Sequence, residues 1–233
     1  MSYEIMWIGQ GGYLLNYNGK VVCIDPYLSN SMARDGKFER LVPVPIEPED
    51  LEVDIIICTH DHIDHLDEAT IKRTNMENIL YAGPSSCQEH YRRIGVPEEN
   101  IISLNRGETY DLEDVRINAV FAEHTEDSIG VVVEYKGSSI YITGDSLYDD
   151  KLLESRALKP NILISCINGR LGNMNYKEAA DLAIKLDVNI AIPSHYGMVE
   201  ENTEDPQKFF DCIEDTSIEG LELKHAVPYI VKI

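Results

Sequence analysis

Short apolar runs separated by turn residues fill the first quarter of the chain. Residues 3–8, 12–17 and 20–25 read as β-strands, and Asn18-Gly19 between two of them is a strong hairpin signal. Residues 28–49 show no period and include Pro43 and Pro45, which predicts a long loop of the kind that often serves a function. A further apolar run then predicts a strand over 54–59.

Helical and strand patterns alternate over the rest of the chain. Helices are predicted over 66–75, from Pro84 to about Ile94, over 179–186 after a helix-start box at Asn175 and Glu178, and over 206–213. Strands are predicted over 81–83, 101–104, 115–122, 130–135, 138–143, 162–166, 190–193 and 229–233. Strands followed by strand–helix units recur in each half of the chain. The pattern favours one α/β (α+β) domain over 1–233, a four-layer αββα sandwich.

Three histidines and a carboxylate directly follow the apolar run at residues 55–58, namely His60, His62, Asp64 and His65. Alternate side chains of a tight loop point the same way, so His60 and His62 can face one metal ion. Asp64 and His65, just past the bend, can face a second ion. Imidazole nitrogen and carboxylate oxygen suit Zn²⁺, or Mn²⁺ when oxygen ligands are added. The alternative interpretation is a solvated polar turn.

Three more potential ligands each follow an apolar run. His124 follows the strand predicted over 115–122, Asp145 follows Gly144 after the strand over 138–143, and His195 follows the strand over 190–193. Site residues of sheet proteins gather where strands end. A single histidine there is more often an ordinary surface or core residue, but the shared position strengthens all three. A carboxylate just beyond a glycine can bridge two ions.

The motifs occur in one order along nearly the whole chain, at residues 59–65, 124, 144–146 and 193–196. In this order they resemble the metallo-β-lactamase superfamily. Within it, the chain is similar to the small cytoplasmic metal-dependent hydrolases and to L-ascorbate-6-phosphate lactonase. The resemblance also rests on the 168–175 loop that precedes a helix.

The resemblance implies the αββα metallo-β-lactamase fold with two divalent ions, Zn²⁺ or Mn²⁺, at one edge. The ligands that it implies for the first ion are His60, His62 and His124. Those for the second ion are Asp64, His65 and His195, with Asp145 bridging the two. It also implies that Asp25 accepts an N–H from a ligand imidazole, which fixes the tautomer; otherwise Asp25 is a turn carboxylate. Diiron flavoproteins of this fold carry Glu where this chain has His62, so hydrolysis is favoured over redox chemistry.

Three further side chains are candidate substrate contacts. In the superfamily, the turn that holds Gln10 faces the metals; a plain hairpin turn is the alternative. Arg170 lies in a Gly-rich loop before a helix start and could bind a phosphate or carboxylate, or be a solvated surface residue. Tyr196 follows His195 and could donate a hydrogen bond to a developing alkoxide.

These residues predict a metal-dependent hydrolase with Asp64 and Asp145 as its catalytic carboxylates. The resemblance to the lactonase implies that a metal-bridged hydroxide attacks a lactone or ester of a small metabolite that can carry a phosphate. One alternative is a phosphodiesterase acting on a nucleotide or phospholipid-like substrate. An alternative of another class is a metal-bound sensor without catalytic activity.

The composition of the chain limits the molecules that it is expected to bind and the compartment in which it is expected. The formal net charge of −21 argues against long nucleic acid and anionic membranes, but leaves room for a small anionic substrate. Five cysteines without a CxxC pair favour reduced thiols and a cytoplasmic location. No stretch approaches the length of a transmembrane helix or resembles a signal peptide, so we expect a soluble protein. The oligomeric state stays open, a homo-oligomer included.

Overall fold

Two mixed sheets of seven strands each organise residues 2–232, which the computed structural model describes. The strands are β1 (Ser2–Gly9), β2 (Gly12–Tyr17), β3 (Lys20–Ile24), β4 (Ile55–Ile57), β5 (Leu80–Gly83), β6 (Ile101–Ser103), β7 (Thr109–Leu112), β8 (Val115–Phe121), β9 (Ile129–Tyr135), β10 (Ser138–Ile142), β11 (Ile162–Cys166), β12 (Ile190–Ser194), β13 (Glu219–Gly220) and β14 (Tyr229–Lys232). The first sheet has the order β14-β1-β2-β3-β4-β5-β6, and the second β13-β12-β11-β10-β9-β8-β7.

Four α-helices cover the outer faces of the sheets. They are α1 (Glu68–Ile71), α2 (Ser85–Ile94), α3 (Tyr176–Leu186) and α4 (Gln207–Ile213). Short 3₁₀ helices occupy Pro48–Asp50, Glu98–Asn100 and Asp150–Leu158. The helix-start box predicted at Asn175 is confirmed, because its side chain accepts from the Glu178 N–H while the Glu178 carboxylate accepts from the Asn175 N–H.

Three apolar clusters hold the layers together. Buried side chains such as Ile5, Leu15 and Val131 fill the space between the two sheets. Tyr91 of α2 packs on the outer face of the first sheet, and Phe209 of α4 belongs to the cluster on the outer face of the second. The predicted four-layer αββα sandwich is therefore confirmed.

The structure differs from the predicted elements in several places. The helix predicted over 66–75 is one turn of α-helix, with Asp67 as its N-cap, and i→i+3 bonds from Arg73 and Thr74 end it. Strands β7 and β13 were not predicted, since short edge strands leave no clear period in the sequence. The 3₁₀ helices Pro48–Asp50, Glu98–Asn100 and Asp150–Leu158 were not predicted either. The last strand ends at Lys232, and Ile233 of the prediction lies outside the described residues.

The predicted loop over 28–49 and the predicted lack of a transmembrane helix can also be compared with the structure. The long loop over 28–49 is confirmed, apart from an isolated bridge between Arg34 and Lys37 and the start of a 3₁₀ helix. Across residues 2–232, no helix combines the length and apolar character needed to cross a bilayer. One hydrolase domain over 1–233 stays a prediction.

Candidate metal centre

Strand topology brings the predicted ligands to one edge of the sandwich. Strands β3 and β4 are parallel neighbours, so Asp25 and the loop from His60 to His65 leave the first sheet side by side. In the second sheet, β8 and β10 are both antiparallel to β9, while β10, β11 and β12 are parallel. The ends of β8, β10 and β12 therefore share one edge, where His124, Asp145 and His195 follow.

The first ligand group consists of His60, His62 and His124. The His62 Nδ1 lies 3.1 Å from the His60 Nε2 and also 3.1 Å from the His124 Nε2. His60 is buried, whereas His62 is exposed. This group therefore reaches the surface at His62, where a substrate can approach it.

The second ligand group consists of Asp64, His65 and His195, and it is more deeply buried. The His195 Nε2 lies 3.4 Å from the Asp64 Oδ2, and the His65 Nε2 lies 3.7 Å from the same oxygen. The ligand atoms of this group all lie within 4.8 Å of one another. Such spacing lets three donors face one ion.

Asp145 lies between the two groups. Its Oδ1 is 3.3 Å from the His65 Nε2 and 3.2 Å from the His195 Nε2, whereas its Oδ2 is 3.8 Å from the His124 Nε2. Each carboxylate oxygen therefore faces a different group. That Asp145 bridges two ions stays a prediction.

Hydrogen bonds fix the orientation of three imidazoles. The His65 Nδ1 lies 2.7 Å from the Asp25 Oδ2, and the His124 Nδ1 lies 3.0 Å from the Gly172 carbonyl oxygen. The His60 Nδ1 lies 3.1 Å from the Thr59 hydroxyl, which in turn donates to Asp25. With each Nδ1 donating, each Nε2 keeps a lone pair directed at the cluster.

The charges of the cluster favour a bound cation. Burial raises the pKa of Asp145, but the imidazoles of His195 and His65 outweigh it and lower that pKa well below 3.8. Burial lowers the pKa of His65, but the carboxylates of Asp145, Asp25 and Asp64 outweigh it and raise it well above 6.5. Ionised carboxylates here require positive charge, which a divalent ion would supply.

Two buried ligand atoms without hydrogen-bond partners also favour a bound cation. The His65 Nε2 and the Asp145 Oδ1 are buried without a hydrogen-bond partner among the described residues. Buried unpaired donors and acceptors are costly, and a divalent ion that accepts both lone pairs removes that cost. The nitrogen and oxygen donors present here therefore fit a divalent metal ion.

Comparison with known proteins agrees with this geometry. The family model described as "Beta-lactamase superfamily domain" matches residues 20–196. The chain belongs to the metallo-β-lactamase superfamily. A "UPF0173 metal-dependent hydrolase" of Saccharolobus solfataricus is 30% identical over 83% of this chain and 84% of its own length. Another, of Sulfurisphaera tokodaii, is 27% identical over 95% of this chain and 96% of its own length. The chain is thus a metal-dependent hydrolase of this superfamily.

Solved structures share the superfamily fold. The metallo hydrolase Igni18 of Ignicoccus hospitalis superposes with a TM-score of 0.82 at 17% identity, with both chains covered completely. An isothiocyanate hydrolase from Delia radicum gut bacteria superposes with a TM-score of 0.81 at 21% identity, covering 97% of this chain and 98% of its own. The predicted metallo-β-lactamase fold is confirmed.

The three candidate substrate contacts lie in different environments. The Gln10 side chain is buried inside the second ligand group, 2.8 Å from the Asp64 Oδ2. Arg170 lies on the surface, with its Nη1 3.3 Å from the Glu201 carbonyl oxygen. The Tyr196 ring stacks on Trp7 and belongs to the apolar cluster beneath α3 and α4. Of the three, only Gln10 contacts a predicted ligand in the hydrogen bonds of the described residues.

Two residues that shape the centre escaped prediction. The Thr59 hydroxyl contacts both Asp25 and the His60 imidazole. Its position directly before His60 was the one feature of the sequence that could have indicated this role. Gly172 has a φ of +88°, and a Cβ there would lie 2.8 Å from the His124 Nδ1. Its closeness to His124 arises from folding alone.

The void among the ligands is small. A cavity of about 10 Å³ touches His65, Asp145 and His195. A far larger cavity of about 530 Å³ is lined by Asp111, Arg116 and other residues that include none of the predicted ligands. The ligand chemistry, and not cavity size, identifies the functional site. Among the three histidines of the first group, His62 is the exposed one, so that group is open to solvent on the side of His62.

Proposed function

We propose that the chain hydrolyses a lactone or ester of a small metabolite, with Zn²⁺ or Mn²⁺ in each of the two ligand groups. The observation that carries this proposal is the position of Asp145, whose two oxygens face different groups. Two such ions would supply a water of pKa about 7 as the nucleophile and Lewis acidity for the reacting carbonyl.

Asp64 is the proposed proton carrier. Burial raises the pKa of Asp64, but the imidazoles of His65 and His195 outweigh it and lower that pKa well below its usual range, so the carboxylate is ionised. Its Oδ2 faces His195 and Gln10. Its Oδ1 would accept the proton that the nucleophilic water loses and return it to the leaving alkoxide oxygen.

The rim of the site around His62 supports an acyl substrate with an apolar part. Ile63, between His62 and Asp64, is 40% exposed. Leu147 is 47% exposed and its N–H donates to the carbonyl of Glu123, beside His124. Leu171, next to Gly172, is 66% exposed. Apolar side chains that adjoin the ligands favour an ester or lactone with an apolar group over a polar nucleotide.

We also propose that the substrate carries an anionic group, which Arg170 binds. The Arg170 guanidinium uses one N–H on the Glu201 carbonyl and keeps others for a phosphate or carboxylate. Replacing Arg170 by Ala would then raise KM for phosphorylated esters and leave KM for neutral esters unchanged. An equal change in KM for phosphorylated and neutral esters would contradict an anionic group bound by Arg170.

Reconstitution with each metal tests the reaction. The purified chain, loaded with Zn²⁺ or Mn²⁺, is assayed on a panel of lactones, p-nitrophenyl esters and bis-p-nitrophenyl phosphate. We expect turnover of the acyl substrates and its loss in Asp145→Ala, with Asp111→Ala, an exposed carboxylate bound to Arg116, as the matched control.

Other outcomes separate the alternatives. Turnover of the phosphodiester alone would favour a phosphodiesterase. Two bound ions with no turnover of any class would favour the metal-bound sensor. Acyl hydrolysis that survives Asp145→Ala would contradict the two-metal mechanism.

A further inference from the structure

The Gln10 amide occupies a position within the second ligand group itself. Its Nε2 lies 2.8 Å from the Asp64 Oδ2, 3.1 Å from the His195 Nε2 and 3.5 Å from the His195 Nδ1. Its Oε1 is buried and has no hydrogen-bond partner among residues 2–232. The amide therefore contacts the atoms of two predicted ligands and carries one unsatisfied oxygen.

The backbone holds the amide there at a cost. Gln10 has a φ of +49°, a conformation uncommon for residues other than glycine, in the β1–β2 turn that follows a register shift between Trp7 and Gly9. The Trp7 Nε1 donates to the Gln10 carbonyl at 3.0 Å, which pins the turn. A Cβ on Gly11 would lie 2.9 Å from the His65 Cε1, so the turn presses against the second group. Backbone strain of this kind clusters at functional sites.

An N–H of Gln10 cannot satisfy both neighbours once a cation is bound. The His195 Nε2 then directs its lone pair at the cation and no longer accepts a hydrogen bond. Rotating the amide by half a turn exchanges its nitrogen and oxygen, which have nearly the same shape. The oxygen would then lie beside the Asp64 Oδ2 and the His195 Nε2, where a cation removes the repulsion between oxygens. Amide oxygen is a ligand of the harder divalent ions.

We propose that the Gln10 side-chain oxygen is a further ligand of the metal ion held by Asp64, His65 and His195. This inference rests on the proposed pair of ions. It assigns Gln10 to metal binding, whereas the sequence suggested a substrate contact. It also adds an oxygen donor to the second site alone, so that the second site suits Mn²⁺ better than the first, which has three imidazoles.

The test measures metal affinity, not turnover. Binding of Mn²⁺ and Zn²⁺ is titrated against a chelator in the wild-type chain, in Gln10→Ala and in Gln10→Glu. We expect Gln10→Ala to weaken binding of one ion at least tenfold and to leave the other unchanged. Gln10→Glu keeps an oxygen ligand and adds a charge, so it retains or strengthens that binding. Visible absorption of Co²⁺ at the weakened site would change in Gln10→Ala and recover in Gln10→Glu.

Controls separate ligation from folding. Gln88 lies in α2, and its buried side-chain amide donates to the Gly83 carbonyl. Gln88→Ala removes this amide and should leave the affinity for each of the two ions unchanged. Gln10→Asn tolerates a positive φ and carries a shorter side chain, so it covers the case in which Gln10→Ala does not fold. Circular dichroism of the metal-free variants checks the fold.

Two results would overturn the proposal. If Gln10→Glu weakens binding as much as Gln10→Ala or more, Gln10 acts as a donor to Asp64, which a second carboxylate would repel. If Gln10→Ala binds both ions as the wild type does, Gln10 is no ligand. A chain that binds two ions but hydrolyses nothing would contradict the proposed function and leave the Gln10 result valid. A wild-type chain that takes up one ion alone, with an affinity that Gln10→Ala leaves unchanged, overturns both.

Discussion

The Asp25 Oδ2 lies 2.7 Å from the His65 Nδ1, and both side chains are fully buried. The same oxygen accepts from the Thr59 hydroxyl at 2.7 Å, and that hydroxyl lies 3.1 Å from the His60 Nδ1. His60 lies in the group with His62 and His124, and His65 in the group with Asp64 and His195, while the two histidines also form a set with Asp145. A single buried carboxylate therefore orients one imidazole of each group, directly for His65 and through Thr59 for His60.

Replacing Asp25 with Asn should weaken metal binding in both groups. An asparagine tolerates the φ of +44° at this position, so the change tests the charge and not the backbone. Partners of ligand imidazoles typically contribute roughly 10–100-fold in metal affinity. Chelator competition measures the effect, with Asp54→Asn as control, since Asp54 binds Lys20 and the Val21 N–H. Unchanged affinity in Asp25→Asn would contradict the shared-carboxylate account.

Thr59 should affect the first group more than the second. Thr59→Val removes the hydroxyl that links His60 to Asp25 and keeps the shape of the side chain. We expect about tenfold weaker binding of one ion, because the His60 tautomer is no longer fixed. Thr59→Ser keeps the hydroxyl and should restore the affinity. Equal behaviour of Val and Ser in a metal titration would show that the hydroxyl is not the cause.

Gly172 and Gly137 form a matched pair for testing the contact with His124. Their φ values are +88° and +87°, but a Cβ on Gly172 meets the His124 Nδ1 at 2.8 Å, whereas one on Gly137 meets nothing within 4 Å. Alanine at either position should lower the free energy of unfolding by about 1–2 kcal/mol through backbone strain. Only Gly172→Ala should also weaken metal binding at the first group. Loss of affinity in both variants would assign the effect to strain.

Metal uptake should release protons and strengthen as the pH rises. Burial lowers the pKa of His195, but the carboxylates of Asp145 and Asp64 outweigh it and raise that pKa to about 9. A ligand imidazole must be neutral, so affinity should increase as the pH rises through about 9 and His195 loses its proton. Calorimetry in buffers of different ionisation enthalpy counts the protons. Uptake without proton release at pH 7 would be the contrary result.

The raised pKa of His195 also makes the stability of the metal-free protein depend on pH. The folded-state pKa of His195 lies above its ordinary value of 6.5. Protonated His195 therefore contributes stability that is fully present below pH about 6.5 and is lost as the pH rises through about 9. Unfolding of the metal-free protein by urea at several pH values checks the sign. His195→Gln should flatten this part of the profile.

Leu171 tests the apolar rim. Transfer of a leucine side chain out of water contributes about 1.5 kcal/mol or more, so Leu171→Asp should raise KM for an apolar ester roughly tenfold. Asp tolerates the φ of +56° that Leu171 adopts. Ile184→Asp on α3, where the side chain is 45% exposed, is the control. Equal KM values for both variants would remove Leu171 from the substrate surface.

The sequence alone was enough for the fold class and for the set of potential ligands. His60 to His65 were identified by local spacing, and His124, Asp145 and His195 by their position after apolar runs. Both signals depend on neighbours in the chain, and strand ends meet at an edge whatever the details of packing.

Tertiary structure alone decided how these residues work together. The contact between His124 and Gly172 spans 48 positions in the chain, and that between Gln10 and His195 spans 185. No local period encodes such contacts, because they depend on how the two sheets and their loops pack against each other. The start of the one-turn helix α1 is fixed in the same way, because the Asp67 carboxylate accepts hydrogen bonds from both Thr70 and Ser31 and ties this segment to the 28–49 loop.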